Sequence, residues 1–255
     1  MVKALAKWIL GAVLLSGMAA TGWWVWKFQN SGLLEFSVLQ EMKPAPDLEK
    51  YEVLVAELQR WREDLGAKYR EAKTKEQKAA VENDARVILE LVMPEMMRCW
   101  LGTPYDFNGT AEKPGEGKIA CGYFVSTVIR DAGFKVNRYR LAQQPSENIL
   151  RTFIPRENCI LEVGTEFSAY ADKVDGMDKG IYLVGLDTHV GFIVNRSDGL
   201  KFFHASGLRP WAVVEETREN AGALQRSNWR MIGGLTGEVG VVRTWLGGDK
   251  VIVRK

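Results

Sequence analysis

Nineteen consecutive residues near the start of the chain, Trp8–Trp26 (WILGAVLLSGMAATGWWVW), carry no charge. At a rise of about 1.5 Å per helical residue, the run nearly matches the hydrocarbon thickness of a bilayer. It is apolar on every face, which a surface helix of a soluble fold is not. Lys3 and Lys7 precede it, and Trp23, Trp24 and Trp26 cluster at its far end, as cations on the cytoplasmic side and aromatic rings at the lipid boundary do. The expectation is a single-pass anchor over residues 1–30 in the cytoplasmic membrane, with the rest of the chain outside the cytoplasm. A cleaved signal peptide is the competing reading, with apolar Ile9–Leu15 followed by the small residues Ser16, Gly17, Ala19 and Ala20. The continuation WWVW argues for retention, and both readings export the remainder.

That remainder has the makings of a folded core, since hydrophobic residues make up 46% of the chain and charged residues 26%. Lys plus Arg number 34 against 32 for Asp plus Glu, and no basic run interleaved with aromatics is present, so nucleic acid is not an expected partner. Cys99, Cys121 and Cys159 lack CxxC or Cys/His ligand spacing, and no metal or other cofactor is expected. Three is an odd number, so at least one thiol is expected to be free. Cys99 and Cys159 are the pair that an oxidising compartment would join if they lie close enough.

After Pro44 and Pro46, Asp47 can cap a helix with apolar residues at Tyr51, Leu54, Val55, Leu58, Trp61 and Leu65, a helical face that Gly66 would end. A second helical pattern runs from about Ala67 to Met93, and Pro94 would kink or restart it. The two predict a helical hairpin or stalk over 31–85, with a domain boundary near Arg86. Beyond Tyr105 the texture changes to loop, one short helix and β-like runs at Ile181–Leu186, His189–Val194, Leu200–His204 and Val251–Arg254. The order is α+β over residues 86–255.

The short helix begins at Cys121 (CGYFVSTVIRDAGF), with an apolar stripe at Phe124, Val125, Val128, Ile129 and Ala132 and a stop at Gly133. A cysteine at a helix N-terminus faces unpaired backbone N–H groups and the positive end of the helix dipole, which favour its thiolate. The chain has two histidines, His189 and His204, close enough to share a hairpin. With Asp198-Gly199 as the turn, His204 would face Ile193, on the same face as His189, and any loop of even length preserves that arrangement. Cysteine nucleophile, histidine base and an orienting second histidine are the parts of covalent acyl transfer.

The series GTPYDFNG, CGYFV, HVGFIV and FHASG, in the order Cys, His, His, resembles the motifs of the NlpC-type peptidoglycan endopeptidases over about Met97–Ser206. The resemblance implies a papain-like α+β fold in which the cysteine helix packs on an antiparallel sheet. It also implies Cys121 as nucleophile, His189 as base, His204 as its orienting group and Tyr105 as a donor to the oxyanion. The substrate it implies is peptidoglycan stem peptide, commonly cut between D-glutamate and a diamino acid. Ala120, Gly122 and Tyr123 depart from the family's Asp before the cysteine and Ser-Gly after it, and Thr110–Ile119 lengthens the approach to Cys121. A papain-like acyltransferase or amidase, and a silent wall-binding or scaffold module, are the alternatives. Asp187 and Asp172 read as solvated turn residues.

Overall fold

The computed structural model describes residues 44–255, so the expected anchor over 1–30 and the first part of the hairpin segment lie outside the described residues. No helix among the described residues is long and apolar enough to cross a membrane.

Helix α1, Leu48–Glu71, starts where expected, with the Asp47 carboxylate accepting from the Lys50 N–H at 2.9 Å. It does not stop at Gly66. A Cβ there would stand 2.6 Å from the carbonyl oxygen of Leu246, so the glycine serves a close helix crossing rather than a helix end. Helix α2, Lys75–Arg98, opens on a capping box between Thr74 and Gln77. It also runs straight through Pro94. Proline leaves the carbonyl four residues back without its helical donor, and the Arg196 guanidinium supplies the bond to Glu90 O at 2.9 Å. The α1–α2 hairpin is therefore present, with its turn later and its second helix both starting and ending later than the sequence pattern indicated.

Helix α3, Cys121–Asp131, buries Phe124, Val125, Val128 and Ile129, the stripe read from the sequence. The chain continues through a short strand β1 (Lys135–Val136), α4 (Arg138–Ala142), α5 (Ser146–Arg151), β2 (Cys159–Val163) and α6 (Phe167–Asp175). Then follow β3 (Gly180–Leu186), β4 (Val190–Arg196), β5 (Gly199–Ala205), β6 (Val213–Thr217), α7 (Gly222–Arg226), β7 (Trp229–Gly234), α8 (Val239–Gly247) and β8 (Lys250–Val251). Six strands form one antiparallel sheet in the order β2-β7-β3-β4-β5-β6, and β1 pairs with β8 in a separate parallel pair. The fold is α+β with helices on both faces of the sheet. Phe192 and Phe203 turn towards α1–α3 and α8, while Ile193 and Phe202 turn towards α6 and α7.

Residues Pro44–Lys255 form one compact unit. Trp100 joins the hairpin to α3, lying edge-on to Tyr51 at 5.7 Å and to Phe124 at 6.1 Å. The boundary expected near Arg86 falls in the middle of α2, because the hairpin's apolar face and the sheet share one core. Residues Leu141–Lys179 supply edge strand β2, the end of α4, and helices α5 and α6.

Candidate active site

Cys121 is the first residue of α3, where the backbone N–H groups have no intrahelical acceptor. The helix packs against β4, and the Val190 backbone N–H comes close enough to the sulfur to favour its ionised form, as do those of Gly122 and Cys121 itself. Burial outweighs them and pushes the thiol above its ordinary value. The expectation of a thiolate made by the helix N-terminus is thus corrected for this state of the site: the helix end opposes a larger desolvation cost. All three cysteines are free, so Cys99 and Cys159 are not joined.

His189 precedes β4 at the end of a tight turn, its carbonyl accepting from Leu186 N–H at 2.8 Å. Asp187 holds that turn, accepting from the Ser227 hydroxyl at 2.5 Å and from the N–H groups of Asn228 and Trp229 at 2.8 and 3.2 Å. It braces the loop that presents His189 and is not aimed at the imidazole. Asp172 pairs with Arg218 at 2.6 Å, away from the cleft.

The β4–β5 hairpin closes through Ser197-Asp198, with Arg196 paired to Gly199, rather than through Asp198-Gly199. The loop still has even length, so the face is unchanged. Continuing one step from the Phe192–Phe203 pair puts His204 opposite Gly191 rather than Ile193, still on the face of His189. The imidazoles meet at 2.7 Å, Nε2 of His189 to Nδ1 of His204, with their planes at 88°. The Phe202 ring stacks on His204 at 4.1 Å and fixes its plane. Burial holds both histidines neutral, each pushed down to about 3, and for His189 the neighbouring His204 adds to the shift.

Gly191 makes this approach possible. A Cβ there would meet the Phe202 ring at 2.6 Å, the Phe203 carbonyl oxygen at 2.8 Å and the His204 Cβ at 3.0 Å. Gly191→Ala is expected to cost about 1–3 kcal/mol by overpacking and to disrupt the imidazole pair. Denaturant unfolding and the downfield imidazole N–H resonance together check this; an unchanged midpoint with an unchanged resonance would refute it.

The pair does not end at His204. Its Nε2 lies 3.0 Å from Oε2 of Glu216 on β6, a residue that the sequence reading did not single out. Neighbouring Glu215 points to the opposite face, where it takes both Nε and Nη2 of Arg98 at 3.0 Å. Two adjacent acidic residues on a strand therefore serve opposite faces, and only the alternation of a paired strand reveals it. Burial raises the Glu216 carboxyl to about 7, against the opposing effect of Arg226.

Cys121, His189 and Val190 line one cavity of about 240 Å³, whose other wall includes Ala142, Pro145 and Ile149. A second cavity of about 290 Å³ adjoins it across Asp187, Thr188 and His189 and contains Tyr105, His204, Ser206 and Arg226. Tyr105 is placed by its N–H bond to Trp211 O at 2.7 Å and by bridging to Ile119, two residues before Cys121. Its hydroxyl has no hydrogen-bond partner among the described residues, and the charge of Cys121 contributes, after burial, to raising it. All four residues singled out in the sequence, Tyr105, Cys121, His189 and His204, thus line these two adjoining cavities. No family model, no curated protein and no solved structure matches the chain. No group of three or more His, Cys, Asp or Glu suited to a metal ion occurs among the described residues.

The segment Thr110–Ile119 that leads to Cys121 is tied down from α4. The buried Arg138 guanidinium donates to the carbonyls of Thr110 and Ala111 at 3.0 and 2.6 Å and to the Thr127 hydroxyl at 2.6 Å. One arginine thereby fastens the rim segment to the cysteine helix.

Proposed function

We propose that this chain is a papain-like cysteine peptidase of the NlpC type that hydrolyses amide bonds of peptidoglycan stem peptides. The observation that carries the reading is the histidine pair: His189 spends Nε2 on His204 at 2.7 Å, so Nδ1 is the nitrogen left for the cavity it shares with Cys121. That is the arrangement of a base oriented by a third group. The substrate is carried by the resemblance of the four motifs, and the expected export of the chain puts the enzyme beside that polymer.

In the first step His189 Nδ1 takes the Cys121 proton as sulfur attacks the carbonyl carbon. The oxyanion forms beside the Cys121 backbone N–H and the Tyr105 hydroxyl, which donate to it as charge develops. The imidazolium returns the proton to the leaving amine, which departs and leaves a thioester. Water then attacks with His189 again as base, and the acid product leaves as the thiol is restored. The neutral thiol and neutral imidazole of the resting site mean that charge separates only as the bond forms.

Digestion of purified peptidoglycan by the full-length, detergent-solubilised chain tests this, with fragments identified by mass spectrometry. New amine termini at the D-glutamyl bond, abolished by prior alkylation of Cys121, are expected. Walls of several chemotypes left intact by a protein that still binds them would turn the reading into a wall-binding module.

A further inference from the structure

The mechanism needs His189 to carry its proton on Nε2 and to leave Nδ1 bare, and in a buried imidazole the hydrogen-bond partners of the two nitrogens decide between the tautomers. The residue that decides it lies two bonds away. Glu216 contacts His204 Nε2 at 3.0 Å, and His204 contacts His189 through Nδ1 at 2.7 Å, so the three form a single file in which each member can donate in only one direction.

We infer that Glu216 is a positioning residue whose ionisation sets the direction of this file and so switches His189 between base and non-base. With Glu216 ionised, its carboxylate accepts from His204 Nε2–H. His204 Nδ1 is then an acceptor and takes the His189 Nε2–H, leaving a lone pair on His189 Nδ1. With Glu216 protonated, its O–H donates to His204 Nε2. His204 then donates from Nδ1 to His189 Nε2, and the His189 proton sits on Nδ1, where it cannot accept the thiol proton. One proton gained at Glu216 reverses both hydrogen bonds without moving a heavy atom.

Burial makes the switch possible. His204 is 1% exposed, so its two nitrogens have Glu216 and His189 as partners in place of bulk water and must reverse together, while the Glu216 side chain is 18% exposed. The charged and titratable groups facing Glu216 among the described residues are His204 on β5 and Arg226 on α7. The first needs the carboxylate as acceptor and the second favours its ionised form, while burial favours the acid and holds the group near neutrality. The sign follows: the base-competent tautomer is present above the Glu216 titration and is lost as pH falls through it.

The chain has two histidines, so every imidazole signal of a ¹⁵N-histidine-labelled full-length protein belongs to this file. At pH 8.5 both Nε2 atoms are expected to carry the proton, and between about pH 8 and 6 the proton is expected to move to Nδ1 on both rings together. In Glu216→Gln, which fills the same space and does not titrate, that pH-dependent exchange is expected to vanish. Hydrolysis should follow the tautomer: kcat of the native protein falls on the acid side with KM unchanged, and the variant lacks that limb. A wrongly held tautomer costs about 10⁴-fold in kcat in a serine-protease triad, which sets the scale. Tautomers that ignore pH in the native protein, or an exchange that persists in Glu216→Gln, would overturn the inference. The role rests on the peptidase reading, but the NMR needs no substrate. Paired exchange in a protein that cuts no wall would refute the peptidase and leave the switch standing.

Discussion

Cys121→Ala is expected to lower kcat/KM for stem-peptide hydrolysis by about 10⁴-fold or more, the range over which loss of a nucleophile acting with its base is felt. The reason is that Cys121 supplies the one thiol among the residues lining the cavity, and the Ser146 hydroxyl there is engaged with Leu186 O at 3.0 Å. Replacing Cys99 or Cys159 should leave the rate within about twofold. Cys99 is buried at the end of α2, where desolvation pushes its thiol up to about 11, and Cys159 lies on edge strand β2, outside both cavities that meet at His189. Since Cys121 is only half-buried, the alanine variant should fold, and its unfolding midpoint is the control. Native-rate hydrolysis by Cys121→Ala would remove the cysteine mechanism altogether.

The second large effect concerns stability. Trp100 is fully buried between Tyr51 of α1 and Phe124 of α3, and Trp100→Ala is expected to destabilise the fold by about 3–5 kcal/mol through lost burial and the cavity left behind. Because Trp100 joins the hairpin to the cysteine helix, both should melt in one transition. Denaturant curves followed by helix signal and by tryptophan fluorescence are expected to coincide in the native protein and to shift together in the variant. A loss below about 1 kcal/mol, or a separate transition for the hairpin, would show that α1 and α2 are an appendage after all.

These outcomes bear on why the hairpin belongs where it does. A free stalk would present solvated charge all round, whereas Tyr51, Leu58, Leu65, Leu89 and Met93 are buried against the sheet's helical layer. Arg98 carries the same connection to the far edge of the sheet through its two-point bond to Glu215. The face of β6 that anchors the hairpin is thus the reverse of the face that holds Glu216 under the histidines. Mutations at Arg98 are therefore expected to disturb the end of the histidine file through β6 rather than through any contact with the cleft.

Local periodicity was enough to place Cys121 at the start of an apolar-striped helix, Asp47 at a helix cap, and His189 and His204 on one face of a hairpin. Those features depend on spacing alone: 3.6 residues per turn, an oxygen at the cap, and a loop of even length, which survived the shift of the turn from Asp198-Gly199 to Ser197-Asp198. The breakers misled for an equally physical reason. Pro94 and Gly66 end helices when their lost bond or lost side chain goes unanswered, and here Arg196 and the Leu246 carbonyl answer from distant parts of the chain. The contact of Glu216 with His204 was hidden in an exposed-looking Glu-Glu pair, because only the packing of β6 beside β5 shows which of the two glutamates shares a face with the histidines. The same packing decided the charge state of the site, since burial of Cys121, His189 and His204 outweighs the helix end that the sequence makes visible. Sequence by itself determined which side chains can do chemistry and on which elements they ride; tertiary structure decided which of them meet and how much water they keep, because desolvation and long-range hydrogen bonds exist only between segments far apart in the chain.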